Sequence, residues 1–144
     1  MKLHIKEIII LYSMLVLTAC GTCNQKLISH SEQGLNSADV NFRYCGYASG
    51  YSVAVYATKA GPLGTGEASK EVFKTLYKRV ENPENNLQTK SPVNIEWKSD
   101  NHLVIYHKTR MSMDDEPDKP MIYKAVKMYQ GVHIEYVPEP VFWD

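Results

Sequence analysis

The chain has no surplus of charge of either sign: Lys and Arg together number 16, and so do Asp and Glu. Nucleic acids and anionic lipids are drawn by a positive excess that displaces counterions, and none exists here. Nucleic-acid binding is therefore not an expected role. Long hydrophobic runs are missing too. The best of them, residues 8–17 (IIILYSMLVL), falls well short of the roughly 20 apolar residues a spanning helix needs. Phenylalanine is scarce, 3 residues against 10 tyrosines. That tilt favours half-buried β surface, where a ring packs and its hydroxyl stays wet. Internal repeats are absent, and 144 residues leave room for one domain.

What is present begins with an address. Lys2 and Lys6 precede the apolar run, with Glu7 interrupting the positive region, and small residues follow it. A charged start, a short apolar core and small residues make residues 1–19 a secretory signal peptide. Its last three residues with the one after them, Leu17-Thr18-Ala19-Cys20, resemble the lipobox of bacterial lipoproteins. That resemblance implies cleavage before Cys20 and acylation of its sulfur, which makes the membrane a partner through the lipid. Each buried CH₂ contributes about 0.8 kcal/mol, so two or more acyl chains hold a protein stably on a bilayer. Gly21 occupies the place where, in such lipoproteins, an Asp signals retention in the inner membrane. The resemblance thus implies the outer membrane, facing the periplasm.

Cys20 and Cys23 have the spacing of a CxxC pair. An acylated Cys20 cannot take part in one. Cys23 and Cys45 then remain in an oxidising compartment, where a disulfide is expected. Two cysteines alone are too few for a closed zinc site.

Residues 20–41 are rich in Ser, Asn and Gln without a lasting period, and are expected to form the lipidated N-terminus and a flexible tether. A single β-rich domain is expected over 42–144. Tyr51, Val53, Val55 and Ala57 alternate along one strand. The stretch KAGPLGTG, 59–66, is a loop without a phosphate-cradling pattern. Residues 69–80 (SKEVFKTLYKRV) fit two periods. Val72, Phe73, Leu76, Tyr77 and Val80 recur at helical spacing, while period two puts Phe73, Thr75 and Tyr77 on one face. Their basic side chains, Lys70, Lys74, Lys78 and Arg79, read as a solvated face.

Val93, Ile95 and Trp97 then alternate in a strand that turns at Ser99-Asp100-Asn101 and returns through residues 102–107. Residues 122–129 and 132–137 are expected to pair across Gln130-Gly131, with Val132, Ile134 and Tyr136 inward. The fold class that results is mainly β, a small antiparallel sheet or sandwich, with at most one helix near 69–80. The strand Tyr51-Ser52-Val53-Ala54-Val55-Tyr56 and the hairpin from Val93 to Tyr106 resemble small secreted bacterial lipoproteins. That likeness covers residues 44–106 and implies a fold type without a reaction.

Catalytic patterns are hard to find. No serine lies in a Gly-x-Ser-x-Gly elbow, and a Ser49, His102, Asp100 triad is an assembly on paper only. His102 and His107 face opposite ways on one strand, and His133 faces outward, so they form no metal set. Asp114, Asp115, Glu116 and Asp118 offer hard oxygen ligands but lack the EF-hand pattern. No cofactor is expected. The leading expectation is a lipid-anchored, non-catalytic envelope protein that binds or inhibits a protein partner, as an immunity-type inhibitor or accessory subunit. Its candidate contacts are Asp114, Asp115, Glu116 and Asp118 in an exposed loop, with Phe142 and Trp143 as aromatic anchors. The alternatives are an envelope hydrolase or metal-dependent enzyme built from separate strands, and a purely structural lipoprotein.

Overall fold

In a computed structural model of the chain, residues 23–45, 50–61, 63, 68–77, 91–109 and 121–139 are described. Nine strands run through them: β1 (Asn24–Gln33), β2 (Asn36–Tyr44), β3 (Tyr51–Thr58), β4 (Lys70–Tyr77), β5 (Val93–Ser99), β6 (His102–Lys108), β7 (Met121–Ala125), β8 (Met128–Tyr129) and β9 (Val132–Glu139). They form a five-stranded sheet ordered β1-β2-β3-β4-β7 and a four-stranded sheet ordered β5-β6-β9-β8. The inner faces meet in one core of Val40, Phe42, Tyr51, Val53, Val55, Phe73 and Tyr77 from the first sheet, and Val93, Leu103, Ile105, Val132 and Ile134 from the second. The protein is a small β sandwich, mainly β as its alternating sequence predicts.

Two expectations are corrected. Residues 24–41, expected as tether, are β1 and most of β2. Ala38, Val40 and Phe42 alternate into the core from β2, and the polar β1 is an edge strand paired along its length to β2. An edge strand that the other sheet covers little needs few apolar residues, so its composition imitates a linker. Residues 70–77 are a strand, so the possible helix near 69–80 is absent among the described residues. A bulge at Val72, where β3 pairs Val55 with Phe73 and Tyr56 with Glu71, buries Val72 and Phe73 together. That irregularity gave the segment its apparent helical spacing.

The hairpin β5–β6 forms as expected, with Ile95 opposite Ile105 and Trp97 opposite Leu103. The Gln130-Gly131 turn also forms, with φ of 47° and 78°. Two positive φ values are what a two-residue hairpin loop of type I′ demands. Only Met128 and Tyr129 pair with β9 across it, however. β7 instead joins β4 in the other sheet, and the chain crosses between sheets at Val126 and Lys127. Val126 N–H donates to the Val72 carbonyl at 2.9 Å, and Ile134 N–H donates to that of Lys127 at 2.9 Å. The Tyr136 hydroxyl, 2.7 Å from the Val126 carbonyl, locks the crossing. On its other edge β9 pairs with β6 and runs parallel to it.

Candidate functional site

The strands give the sandwich two unlike ends. At one end Cys23, just before β1, is joined to Cys45, just after β2, with the sulfurs 2.08 Å apart. The bridge closes the open end of the β1–β2 hairpin. At this same end lie the last residues of β4, β6 and β9 and the first of β7, which is at the opposite edge of the five-stranded sheet from β1. At the opposite end are the Gly34-Leu35 and Asp100-Asn101 turns and the start of the loop after β3.

A polar clamp holds that second end together. Asn36 is buried; its side-chain amide donates to the Asp100 carbonyl at 2.9 Å and accepts from the Ala60 N–H at 3.1 Å. The Lys59 ammonium donates to the Asp100 carbonyl at 3.0 Å and to Asn101 Oδ1 at 2.8 Å. Gln33 Nε2 donates to Asp100 Oδ1 at 3.1 Å, and the Asn101 carbonyl accepts from His133 N–H at 2.8 Å. Three connections from two sheets thus share one hydrogen-bonded hub. Such a hub fixes loop positions, since leaving any buried member unpaired costs about 1–3 kcal/mol. On this end stand the two most exposed large apolar residues described, Leu35 at 73% and Leu63 at 90%. Leu35 is forced to the tip because Gln33 pairs with Asn36, leaving Gly34 and Leu35 as a two-residue turn, with Gly34 at φ 60°.

Two groups of titratable side chains lie on the outer faces. His30 Nδ1 is 2.5 Å from Asp39 Oδ1, its β2 partner, and His30 Nε2 is 2.8 Å from Glu32 Oε1. Hydrogen bonds to Glu32 and Asp39 raise the His30 pKa above its ordinary 6.5. The carboxylates occupy opposite nitrogens of the ring, so these three groups do not converge on one ion. On the second sheet His102 Nε2 is 2.9 Å from Glu135, and the His102 and His133 rings lie 5.3 Å apart because parallel pairing puts them side by side. Among the described residues no group of three or more His, Cys, Asp or Glu is arranged to hold a metal ion. His107 points the other way, into the core beside Phe73, and burial lowers its pKa.

Of the residues nominated by sequence, Cys23 and Cys45 are brought together. Cys20, Asp114, Asp115, Glu116, Asp118, Phe142 and Trp143 lie outside the described residues. The clamp residues Asn36, Lys59 and Asp100 and the exposed Leu35 and Leu63 were not singled out. A Gly34-Leu35 turn between polar strands was the available signal, hidden by reading 20–41 as tether. Comparison with protein families, with curated proteins and with solved structures finds no match to this chain.

Proposed function

We propose that this protein is a lipid-anchored, non-catalytic envelope protein that binds or inhibits a protein partner on the periplasmic side of the outer membrane. The observation that supports the binding role is the clamped tip. Leu35 and Leu63 stand out from the sandwich, while Asn36, Lys59 and Asp100 fix the turn that carries Leu35 and the start of the connection that carries Leu63. An exposed leucine on a turn held at both ends, as Leu35 is by Gln33 and Asn36, loses little conformational entropy when a partner covers it, which favours binding over catalysis as its use. Loops at one end of a β scaffold are common places for recognition. Asp114, Asp115, Glu116, Asp118, Phe142 and Trp143 remain contact candidates on sequence grounds. Lipid attachment at Cys20 supplies the membrane address.

Photo-crosslinking groups placed at Leu35 and Leu63 in the full chain, expressed in its own envelope, test this reading. One discrete protein adduct is expected from both positions, and Leu35→Asp together with Leu63→Asp abolishes the complex without altering the fold. Unchanged complex yield in that double variant would remove the tip as the contact surface.

A further inference from the structure

The expected tether does not exist as such, and this changes how the domain meets a membrane. Cys23, the first of the described residues, is bonded to Cys45, and in sequence only Gly21 and Thr22 separate it from Cys20. Three residue steps reach at most about 11 Å when fully extended. A domain anchored through Cys20 therefore has no room to stand away from the lipid, and its disulfide end is the end held down.

The same end carries an apolar edge. β7 begins there, and its first three residues, Met121, Ile122 and Tyr123, are 47%, 47% and 59% exposed. Leu76 pairs with Met121 and Thr75 with Ile122, which leaves Tyr123 as a bulge between Ile122 and Lys124. The bulge interrupts the ladder and turns the edge away from pairing with another strand. Its apolar side chains nevertheless stay in the open. Lys124, opposite Lys74 on the outer face, is the one charged residue of β7. Tyrosine is a side chain that rests at a bilayer interface, its ring at headgroup level, while the Lys124 ammonium lies 3.6 Å from Glu71 Oε1. Apolar contact is thus what the start of β7 offers to lipid.

We propose that the disulfide end of the sandwich is seated on the bilayer surface, with Met121, Ile122 and Tyr123 in the headgroup layer. The proposal rests on lipid anchoring at Cys20. It points Leu35 away from the membrane by about 30 Å, the length of a ten-residue strand, where a soluble partner can reach it.

The test uses the mature protein isolated with its own N-terminal modification and reconstituted in phosphatidylethanolamine/phosphatidylglycerol vesicles. Tyr123→Trp and Leu35→Trp serve as reporters against the unsubstituted protein, with lipids brominated just below the headgroup as quenchers. Intact mass reports acylation of Cys20. The expected result is an acylated chain in which the Trp at 123 is quenched and the Trp at 35 is not. An acylated chain with no quenching at 123, or with equal quenching at both positions, overturns the seat while leaving the anchor in place. An unacylated Cys20 overturns both.

Discussion

Asn36 and Asp100 are joined across the two sheets by a 2.9 Å hydrogen bond, from the side chain of one to the carbonyl of the other. The bond ties the first residue of β2 to the turn between β5 and β6. It makes the end of the sandwich that bears Leu35 a single unit, when it would otherwise be three separate loops.

Asn36→Ala leaves the Ala60 N–H without its partner and the Asp100 carbonyl with Lys59 alone. A loss of about 1–3 kcal/mol is expected, the cost of unpaired groups in a buried setting. Urea unfolding measures it, and hydrogen exchange at Ala60 should rise in step. Unchanged exchange there would show that the clamp does not hold the loop.

The Cys23–Cys45 bridge closes a hairpin of sequence separation 22. Replacing both cysteines by serine is expected to cost about 3 kcal/mol in the chain-entropy view. Because the bridge lies at the far end from the clamp, the double variant combined with Asn36→Ala should lose the sum of the two effects. A double-mutant cycle by chemical denaturation checks the additivity.

Phe73 is fully buried and touches rings from the opposite sheet, with centroids 5.6 Å from His107 and 5.5 Å from Tyr136. Phe73→Ala is expected to cost about 3–5 kcal/mol. Were residues 69–80 helical and peripheral in solution, the loss in thermal unfolding would be far smaller.

Two histidines should give pH dependences of opposite sign. Glu32 and Asp39 raise the pKa of His30 on folding. Its contribution is fully present below the unfolded value of about 6.5 and is lost as pH rises through the folded value. Burial lowers the pKa of His107. Its neutral form suits the fold, so that contribution is present above about 6.5 and is lost as pH falls toward the folded value. His30→Asn should therefore destabilise more at acid than at alkaline pH. His107→Leu should flatten the decline of the parent protein on the acid side. Urea midpoints across this range decide both, and parallel curves for parent and variants would refute the assignments.

The alternating stretches were legible because their periodicity is strictly local. Val53, Val55 and Ala57 in β3, and Val93, Ile95 and Trp97 against Leu103 and Ile105, announce strands with one buried face. β4 was not legible. Its bulge at Val72 breaks the period of two, and a bulge is set by the neighbouring strand, not by the residues themselves. β1 was misread for the opposite reason. Its polar composition is compatible with a linker, and only pairing with β2 along its length makes it a strand.

The candidate site divides along the same line. The Cys23–Cys45 pairing follows from residue types and their order. The clamp joins residues 64 positions apart, Asn36 with Asp100, and no local pattern announces such a meeting.

Local chemistry alone therefore determined the β class, the β5–β6 hairpin and the Gln130-Gly131 turn, since each depends on a handful of neighbouring residues. Tertiary structure decided that β7 leaves its neighbour β8 for the other sheet and that β9 runs parallel to β6. It also decided that the chain from Asn24 onward is fold and not tether. Those outcomes depend on which distant surfaces cover one another, and burial of apolar area has no direction along the sequence.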